Sequence, residues 1–221
     1  MKVVAILQAR MNSTRLPGKV VLPLAGKSIL QNIIERVQRA TRINVVALTI
    51  PNSDYEAFYG LNEVDYLHTW EGDEADLVGR YLQCATNTAA DVIVRIPCDN
   101  PCIDYTYIDR AIREYTVQAH IYYSNTTDLC AGVWVDGIGA EVFSYSRLQW
   151  LDARTKGKPT WREHPHRYFE DHGLLTLPKA ELRLDVNTQE DYDFIKSIYD
   201  HFGHNRFTTR EILEYVRQTN R

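Results

Sequence analysis

Cysteines are few in this sequence, and none of them belongs to a Cys-x-x-Cys pair. The 221 residues contain four, Cys84, Cys98, Cys102 and Cys130. A chain of this length can close a hydrophobic core without disulfide bonds. We therefore expect a protein of the reducing cytoplasm.

Long hydrophobic runs are also missing. The first apolar stretch, Val3 to Leu7, is ended by the polar residues Gln8 and Arg10 before it reaches the length of a signal peptide. No uninterrupted run approaches the roughly 18 residues that a membrane span requires. The sequence predicts no membrane partner.

An excess of positive charge is the third absence. Lys and Arg number 25 against 29 Asp and Glu, which gives a net charge of −4. No overall basic field is available to attract nucleic acid, so an anionic ligand must be held by local groups. The apolar share of 44% is typical of a folded globular chain, and the length fits one domain over residues 1–221.

Apolar segments alternate with helical patterns along the chain, which predicts an α/β fold with a mostly parallel sheet. The expected strands are 3–7, 45–50, 64–69, 92–96, 141–143 and 182–186. The expected helices are 29–37, one that begins at Ser53, about 75–88, 108–117, 190–202 and one that begins at Thr208. Ser53-x-x-Glu56 and Thr208-x-x-Glu211 have the spacing of capping boxes at two of these helix starts.

The polar loop 8–27 follows the first predicted strand, and its first part, up to Lys19, contains three cations, Arg10, Arg15 and Lys19. Ligands of open α/β sheets bind at the carboxyl ends of the strands, where this loop begins. Its backbone N–H groups and cations suit a nucleoside triphosphate. The alternative is a solvated basic loop with an ordinary Pro-Gly turn.

Two common nucleotide motifs are missing, the Walker loop and the Gly-x-Gly-x-x-Gly signature, which disfavours kinases and dehydrogenases. The string Ala9-Arg-x-x-Ser-Thr-Arg-Leu-Pro-Gly-Lys19, followed by Leu24-Ala-Gly-Lys27, resembles the cytidylyltransferase family that makes cytidine-monophosphate sugars. The similarity is to the spore-coat-polysaccharide type, and more distantly to enzymes that activate 3-deoxy-manno-octulosonate and N-acylneuraminate. It covers the chain from Val3 to about Ile198.

The resemblance implies a Rossmann-like three-layer sheet of the nucleotide-diphospho-sugar transferase type, CTP as substrate, Mg²⁺ as cofactor and a homodimer. It also suggests that the segment around 150–178 is a dimerisation arm or a lid. The nucleotide-binding residues that it implies are Leu7, Ala9, Arg10, Ser13, Arg15, Lys19, Arg80 and Arg95. Among these, Arg10 and Lys19, together with Asp99, are the implied catalytic residues. For Arg80 the alternative is an exposed helix residue.

Asp99 in Arg95-Ile-Pro-Cys-Asp-Asn-Pro-Cys-Ile-Asp104 matches the metal-binding Asp of the family. Its alternative role is a helix cap or an ordinary loop carboxylate. The second metal carboxylate departs from the family pattern, because Asn187 takes the place of the expected Asp. Asp185 lies two residues earlier and would share a face with Asn187 in an extended strand. Asp185 as the ligand, Asn187 as the ligand directly or through water, and a lost metal site all stay open.

The acceptor side of the resemblance involves Glu141, Glu163 and His164. Glu141 belongs to an element in which Gly139 replaces an acid, and Glu163-His164 matches an Arg-Glu-His segment of the family. The His residues at 164, 166 and 172 do not have the spacing of a structural zinc site. The expected acceptor is a small sugar acid. Two rival functions are a glycosyltransferase of similar architecture and a non-catalytic nucleotide-binding homologue, the second because Asn187, Gly79 and Gly139 all depart from the pattern.

Overall fold

The computed structural model describes residues 1–219 and contains a central sheet with helices on both of its faces. The strands are β1 (Val3–Gln8), β2 (Pro23–Leu24), β3 (Lys27–Ser28), β4 (Val45–Pro51), β5 (Tyr66–Trp70), β6 (Val92–Pro97), β7 (Tyr123–Ser124), β8 (Thr127–Cys130), β9 (Val133–Asp136), β10 (Glu141–Ser144) and β11 (Leu182–Arg183). The helices are α1 (Ile29–Val37), α2 (Tyr55–Phe58), α3 (Leu77–Asn87), α4 (Tyr105–Gln118), α5 (Tyr145–Thr155), α6 (Pro159–Glu163), α7 (Pro165–Asp171), α8 (Gln189–Phe202) and α9 (Thr209–Thr219). None of the helices within residues 1–219 combines the length and the apolar character needed to cross a membrane.

The central sheet has the strand order β5-β4-β1-β6-β10-β7. The first four strands in this order are parallel, whereas β10 runs antiparallel to both of its neighbours. Two smaller sheets stand beside it, a β2–β3 hairpin and the three strands β11-β9-β8. The predicted α/β fold with a mostly parallel sheet is confirmed.

The side chains of β1 alternate between two hydrophobic clusters, and each cluster packs helices against the sheet. Val3, Ala5 and Leu7 pack into a cluster with residues of α1, α4, α8 and α9, whereas Val4 and Ile6 pack into a second cluster with residues of α3, α5 and α7. Successive side chains of a strand point to opposite faces of the sheet, so one apolar run supplies both clusters. The result is the expected three-layer arrangement.

Two local predictions need correction. No side chain caps α2, and a 3-10 turn at Asn52–Asp54 precedes this helix, so the Ser53 capping box is wrong. The Asp54 carboxylate instead accepts a hydrogen bond from the backbone N–H of Met11 at 2.8 Å.

The predicted strand 182–186 pairs only over Leu182–Arg183, after which the backbone N–H of Val186 donates to the carbonyl of Asp99 at 2.7 Å. The Thr208 box is confirmed, because Thr208 and Glu211 exchange both of its hydrogen bonds.

The segment predicted as an arm or lid lies against the rest of the chain. Leu148, Leu151 and Tyr168 are buried in the second cluster, and Phe169 has no exposed surface. In the described conformation α5, α6 and α7 therefore pack on the sheet layer and do not project from it. A role of this segment in dimerisation stays a prediction.

Arg36 of α1 supports the loop that follows β6, although no carboxylate within residues 1–219 bonds to it. Its guanidinium donates to four backbone carbonyls, those of Cys102, Ile103, Asn205 and Phe207, at 2.5 to 3.2 Å. The side chain is only 2% exposed and stacks on the Phe207 ring at 4.7 Å. Arg36 therefore ties α1 to the loop that carries Asp99 and to the turn before α9.

We expect Arg36→Met to lower the free energy of unfolding by about 3 kcal/mol, because it leaves buried carbonyls without donors. Urea titration followed by circular dichroism measures this change. Arg39→Met is the matched control, since Arg39 also donates to Asn205 but is only partly buried. Equal losses for the two variants would contradict the argument.

Candidate active site

A cavity of about 800 Å³ opens at the carboxyl ends of β1 and β6. The residues predicted from the sequence that line it are Ala9, Arg10, Ser13, Arg15, Lys19, Arg80, Arg95, Asp99, Glu141, Glu163, His164, Asp185 and Asn187. Leu7 is the exception, because its side chain lies in the hydrophobic core with no exposed surface. One cavity thus brings together the cationic loop, the acids and the acceptor-side residues.

The loop after β1 has a defined conformation. The carbonyl of Met11 accepts hydrogen bonds from the N–H groups of Ser13 and Gly18, and the N–H of Met11 is held by Asp54. Gly18 has a φ of 68°, in the left-handed region that favours glycine. It begins a 3-10 turn over Lys19–Val21, which directs Lys19 toward the cavity.

Lys19 connects the cationic loop to the acids across the cavity. Its ammonium donates to Asp99 Oδ2 at 3.1 Å, to the carbonyl of Val186 at 2.7 Å and to Asn187 Oδ1 at 3.2 Å. The Lys19 side chain is only 12% exposed, so the solvated-loop interpretation is wrong for it. Arg15 is exposed and donates to Asn187 Oδ1 at 2.8 Å, while Arg10 pairs with Glu74 at 3.1 Å.

Asp185 and Asn187 share a face, as predicted for an extended segment. The amide of Asn187 contacts Asp185 Oδ2, and Arg183 makes a two-pronged ion pair with the same carboxylate at 3.0 and 2.6 Å. Asp99 does not cap a helix, because Asp104 caps α4. The alternative role of Asp99 as a helix cap is therefore wrong.

Asp136 is an acid of the cavity that the sequence analysis missed. It ends β9, beside the segment of Asp185, and accepts a hydrogen bond from Thr127 at 2.9 Å. Burial raises the pKa of Asp136, and the like charge of Asp185 raises it further. Its strand lies in the glycine-rich stretch where the sequence pattern weakens, so periodicity gave no indication of it.

The donor set fits a hard divalent cation. Asp99 Oδ2 and Asn187 Oδ1 lie within hydrogen-bond distance of one ammonium, that of Lys19, so both oxygens can face one cation. Mg²⁺ prefers oxygen ligands and takes several of them from phosphate and water. No group of three or more His, Cys, Asp or Glu within residues 1–219 could hold a metal alone. The remaining ligands would therefore come from the nucleotide.

A buried ion pair joins β6 to β10, and both of its residues line the cavity. Arg95 and Glu141 are direct cross-strand partners, and Arg95 Nη1 donates to Glu141 Oε1 at 2.5 Å. The other carboxylate oxygen accepts from the Tyr122 hydroxyl. Burial alone would raise the pKa of Glu141, but the charge of Arg95, the neighbouring His166 and the hydrogen bonds from Tyr122 and Arg95 together lower it. Glu141 is therefore ionised and held in place at neutral pH.

Arg80 is 1% exposed, so its interpretation as an exposed helix residue is wrong. Its guanidinium donates to the carbonyl of Glu74 at 2.7 Å and lines the cavity. The Nε atom of Arg80 is buried with no hydrogen-bond partner among the described residues. Glu74 thus orients two arginines, Arg80 through its carbonyl and Arg10 through its carboxylate.

Glu163 ends α6, His164 lies between α6 and α7, and both line the cavity. His166, two positions further along, also lines the cavity, whereas the sequence analysis named it only in excluding a structural zinc site. Its Nδ1 atom is 3.8 Å from Glu141 Oε1 and has no hydrogen-bond partner among the described residues. Burial lowers the pKa of His166, so its imidazole is neutral at pH 7.

The sequence model of one protein family, described as cytidylyltransferase, matches residues 4–218. This chain belongs to the cytidylyltransferase family. The spore coat polysaccharide biosynthesis protein SpsF of Bacillus subtilis is 28% identical to this cytidylyltransferase over an alignment of 210 residues that covers 90% of this chain and 86% of SpsF.

Solved structures agree with the family. A cytidylyltransferase from Leptospira borgpetersenii superposes with a TM-score of 0.84 at 28% identity, over 100% of this chain and 95% of the other. A CMP:2-keto-3-deoxy-manno-octonic acid synthetase complexed with CTP has a TM-score of 0.69 at 14% identity, over 91% of this chain and 100% of the other. The second likeness concerns the fold alone. It supports the nucleotide-diphospho-sugar transferase type of sheet.

Local packing explains two departures of this cytidylyltransferase from the family pattern, those at Gly79 and Gly139. A Cβ on Gly139 would lie 2.1 Å from the carbonyl oxygen of Asn125, so no acid fits there. A Cβ on Gly79 would lie 2.7 Å from a carboxylate oxygen of Asp76. Both departures therefore have local packing reasons.

Proposed function

We propose that this cytidylyltransferase moves CMP from CTP to a sugar acid of surface-polysaccharide biosynthesis and releases pyrophosphate. The observation that carries the proposal is the single cavity in which Lys19 of the loop meets Asp99 and Asn187. An acceptor oxygen attacks the α-phosphorus in line, and pyrophosphate leaves. Such chemistry asks the protein mainly for positioning and charge neutralisation.

The phosphate tail of CTP binds at the loop after β1. Arg10, Arg15 and Lys19 supply the positive charge, and Ser13 supplies a hydroxyl. Arg80 and Arg95 stand deeper in the same cavity, on the nucleoside side. In the free enzyme Lys19 is bonded to Asp99, Asn187 and the carbonyl of Val186, so binding of CTP exchanges these partners for phosphate oxygens.

Asp99 and Asp185 with Asn187 would hold Mg²⁺. When bound, the ion would supply charge neutralisation at the phosphates. The protein itself keeps these oxygens in place. Lys19 donates to Asp99 and Asn187. Arg183 donates to Asp185. Asp185 contributes a full negative charge, whereas Asn187 contributes a neutral amide oxygen.

The acceptor binds beside Glu141, Glu163 and His164, which line the same cavity. Arg167 and Lys179 also line the cavity, which suits a carboxylate on the acceptor. Glu163 or His164 would receive the proton of the attacking hydroxyl. The relationship to SpsF supports an acceptor of polysaccharide metabolism.

Two further elements of the proposal are the cellular compartment and the oligomeric state. The four cysteines are free and buried, which suits the cytoplasm. We propose a homodimer, with the segment around 150–178 as its candidate arm.

The decisive experiment measures pyrophosphate release from CTP, UTP, ATP and GTP with Mg²⁺ across a panel of sugar acids, after a thermal-shift comparison of the four nucleotides. We expect stabilisation by CTP above the other three and release of pyrophosphate with at least one acid. Omission of the metal should abolish release.

The same assay separates the rival functions. Release of a nucleotide from a nucleotide sugar, without pyrophosphate from CTP, would favour a glycosyltransferase. CTP binding without turnover over the whole panel would favour a non-catalytic homologue.

A further inference from the structure

The acceptor-side turn is carried by a helix that cannot hold its own position. α6 spans only Pro159–Glu163, and no side chain caps it. A five-residue helix has no stability by itself in water, so tertiary contacts must fix it. The two functional side chains of the turn, Glu163 and His164, stand at the end of this helix.

Arg162 provides those contacts with a forked ion pair. Its Nε and Nη2 atoms donate to the two carboxylate oxygens of Asp76, each at 2.8 Å, and Nη2 also donates to Asp152 Oδ1 at 2.9 Å. The side chains of Arg162, Asp76 and Asp152 are 16%, 23% and 23% exposed. A two-pronged arginine pair of low exposure fixes geometry better than a surface pair.

Asp76 also supports the helix that carries Arg80. Its carboxylate caps α3 by accepting from the N–H of Gly79 at 2.9 Å. Arg80, which lines the cavity, is in the first turn of the same helix. The absent side chain at Gly79 leaves the space that this carboxylate occupies. One carboxylate is therefore shared by the helix of Arg80 and the helix of Glu163.

We propose that Arg162, through Asp76 and Asp152, is a positioning residue that sets where Glu163 and His164 stand and so governs acceptor affinity. This inference rests on the proposed function only in naming the acceptor. Trp161 is the second anchor of α6, because it packs on Tyr168 and donates to Asp171, but these contacts join α6 to α7 and not to α3 or α5. Without Arg162, α6 keeps its packing on α7, which Tyr168 still joins to Trp150 of α5, but α6 loses its own hydrogen-bonded link to Asp76 and Asp152.

The test compares Arg162→Met and Arg162→Lys with the wild type. We expect the methionine variant to raise the acceptor KM about 10-fold or more, with the Kd for CTP unchanged within about twofold. The reason is that the variant moves only Glu163 and His164 and leaves the residues that bind CTP in place. Lysine retains the charge but not the fork, so it should restore part of the affinity. Arg154→Met on α5 is the matched control, since Arg154 stacks on Trp150 outside the cavity.

Hydrogen exchange of residues 159–167 supplies a readout that does not depend on turnover. We expect faster exchange there in Arg162→Met and not in Arg154→Met. If Arg162→Met does not fold, Asp76→Asn replaces it, because asparagine still caps α3 but removes the charge. Unchanged exchange with an unchanged acceptor KM would overturn the inference. A wild type that releases no pyrophosphate would refute the proposed function instead, and exchange would still decide the role of Arg162.

Discussion

Lys19→Ala weakens CTP binding by roughly 30- to 150-fold, which corresponds to the loss of about 2–3 kcal/mol from one charged contact. The expected size follows from where the ammonium lies. It is 12% exposed and already close to oxygen atoms of Asp99 and Asn187 at 3.1 and 3.2 Å. A cation in so little water interacts more strongly with phosphate than an exposed lysine does. Isothermal titration calorimetry with CTP measures the loss.

The same variant should bind Mn²⁺ more tightly than the wild type when no nucleotide is present. Lys19 neutralises Asp99 in the free protein, and its removal returns that charge to the cavity. The two affinities therefore change in opposite directions. Lys27→Ala is the control, since Lys27 is on the same segment but pairs with Glu35 outside the cavity. Equal CTP affinity in Lys19→Ala and wild type would remove Lys19 from the site.

The sequence predicted those parts of the molecule that depend on short stretches of chain. Central parallel strands are buried on both faces, so β1 is a continuous apolar run up to Leu7, and β6 is an apolar run that only Arg95 interrupts. The loop motif and Asp99 directly follow these strands. Their meeting across the cavity follows from the adjacency of β1 and β6 in a parallel sheet.

Features that depend on contacts between distant segments were not predictable. The Ser53 box had the right spacing, yet Asp54 bonds to Met11, which is 43 positions away. Asp136 and His166 lie on short elements with weak periodicity, and only the packing of β9 and α7 brings them to the cavity. A capping pattern or a single acid can be recognised in a short stretch of sequence. The groups that such a side chain contacts depend on the tertiary fold.

The sequence left three alternatives open for the second metal ligand. The structure favours Asp185 among them on physical grounds. Asp185 is a charged group with 11% of its side chain exposed. Asn187 is neutral, and its oxygen accepts from Lys19 and Arg15. A divalent cation gains more from the charged oxygens of Asp185 than from an amide. Asp185 is therefore the ligand expected to matter more.

Asp185→Asn should lower turnover by roughly 100-fold, about 3 kcal/mol in the activation barrier, whereas Asn187→Ala should cost about 10-fold. Steady-state pyrophosphate release at saturating CTP and varied Mg²⁺ measures both, and the loss in Asp185→Asn should shrink as the metal concentration rises. Arg183→Gln is the control, because it breaks the Arg183–Asp185 ion pair and keeps the carboxylate. If Arg183→Gln lost as much activity as Asp185→Asn, the ion pair and not metal binding would explain the effect. The reverse order of the first two variants would make Asn187 the ligand, and Asn187→Asp should then raise metal affinity more than any other change at this face.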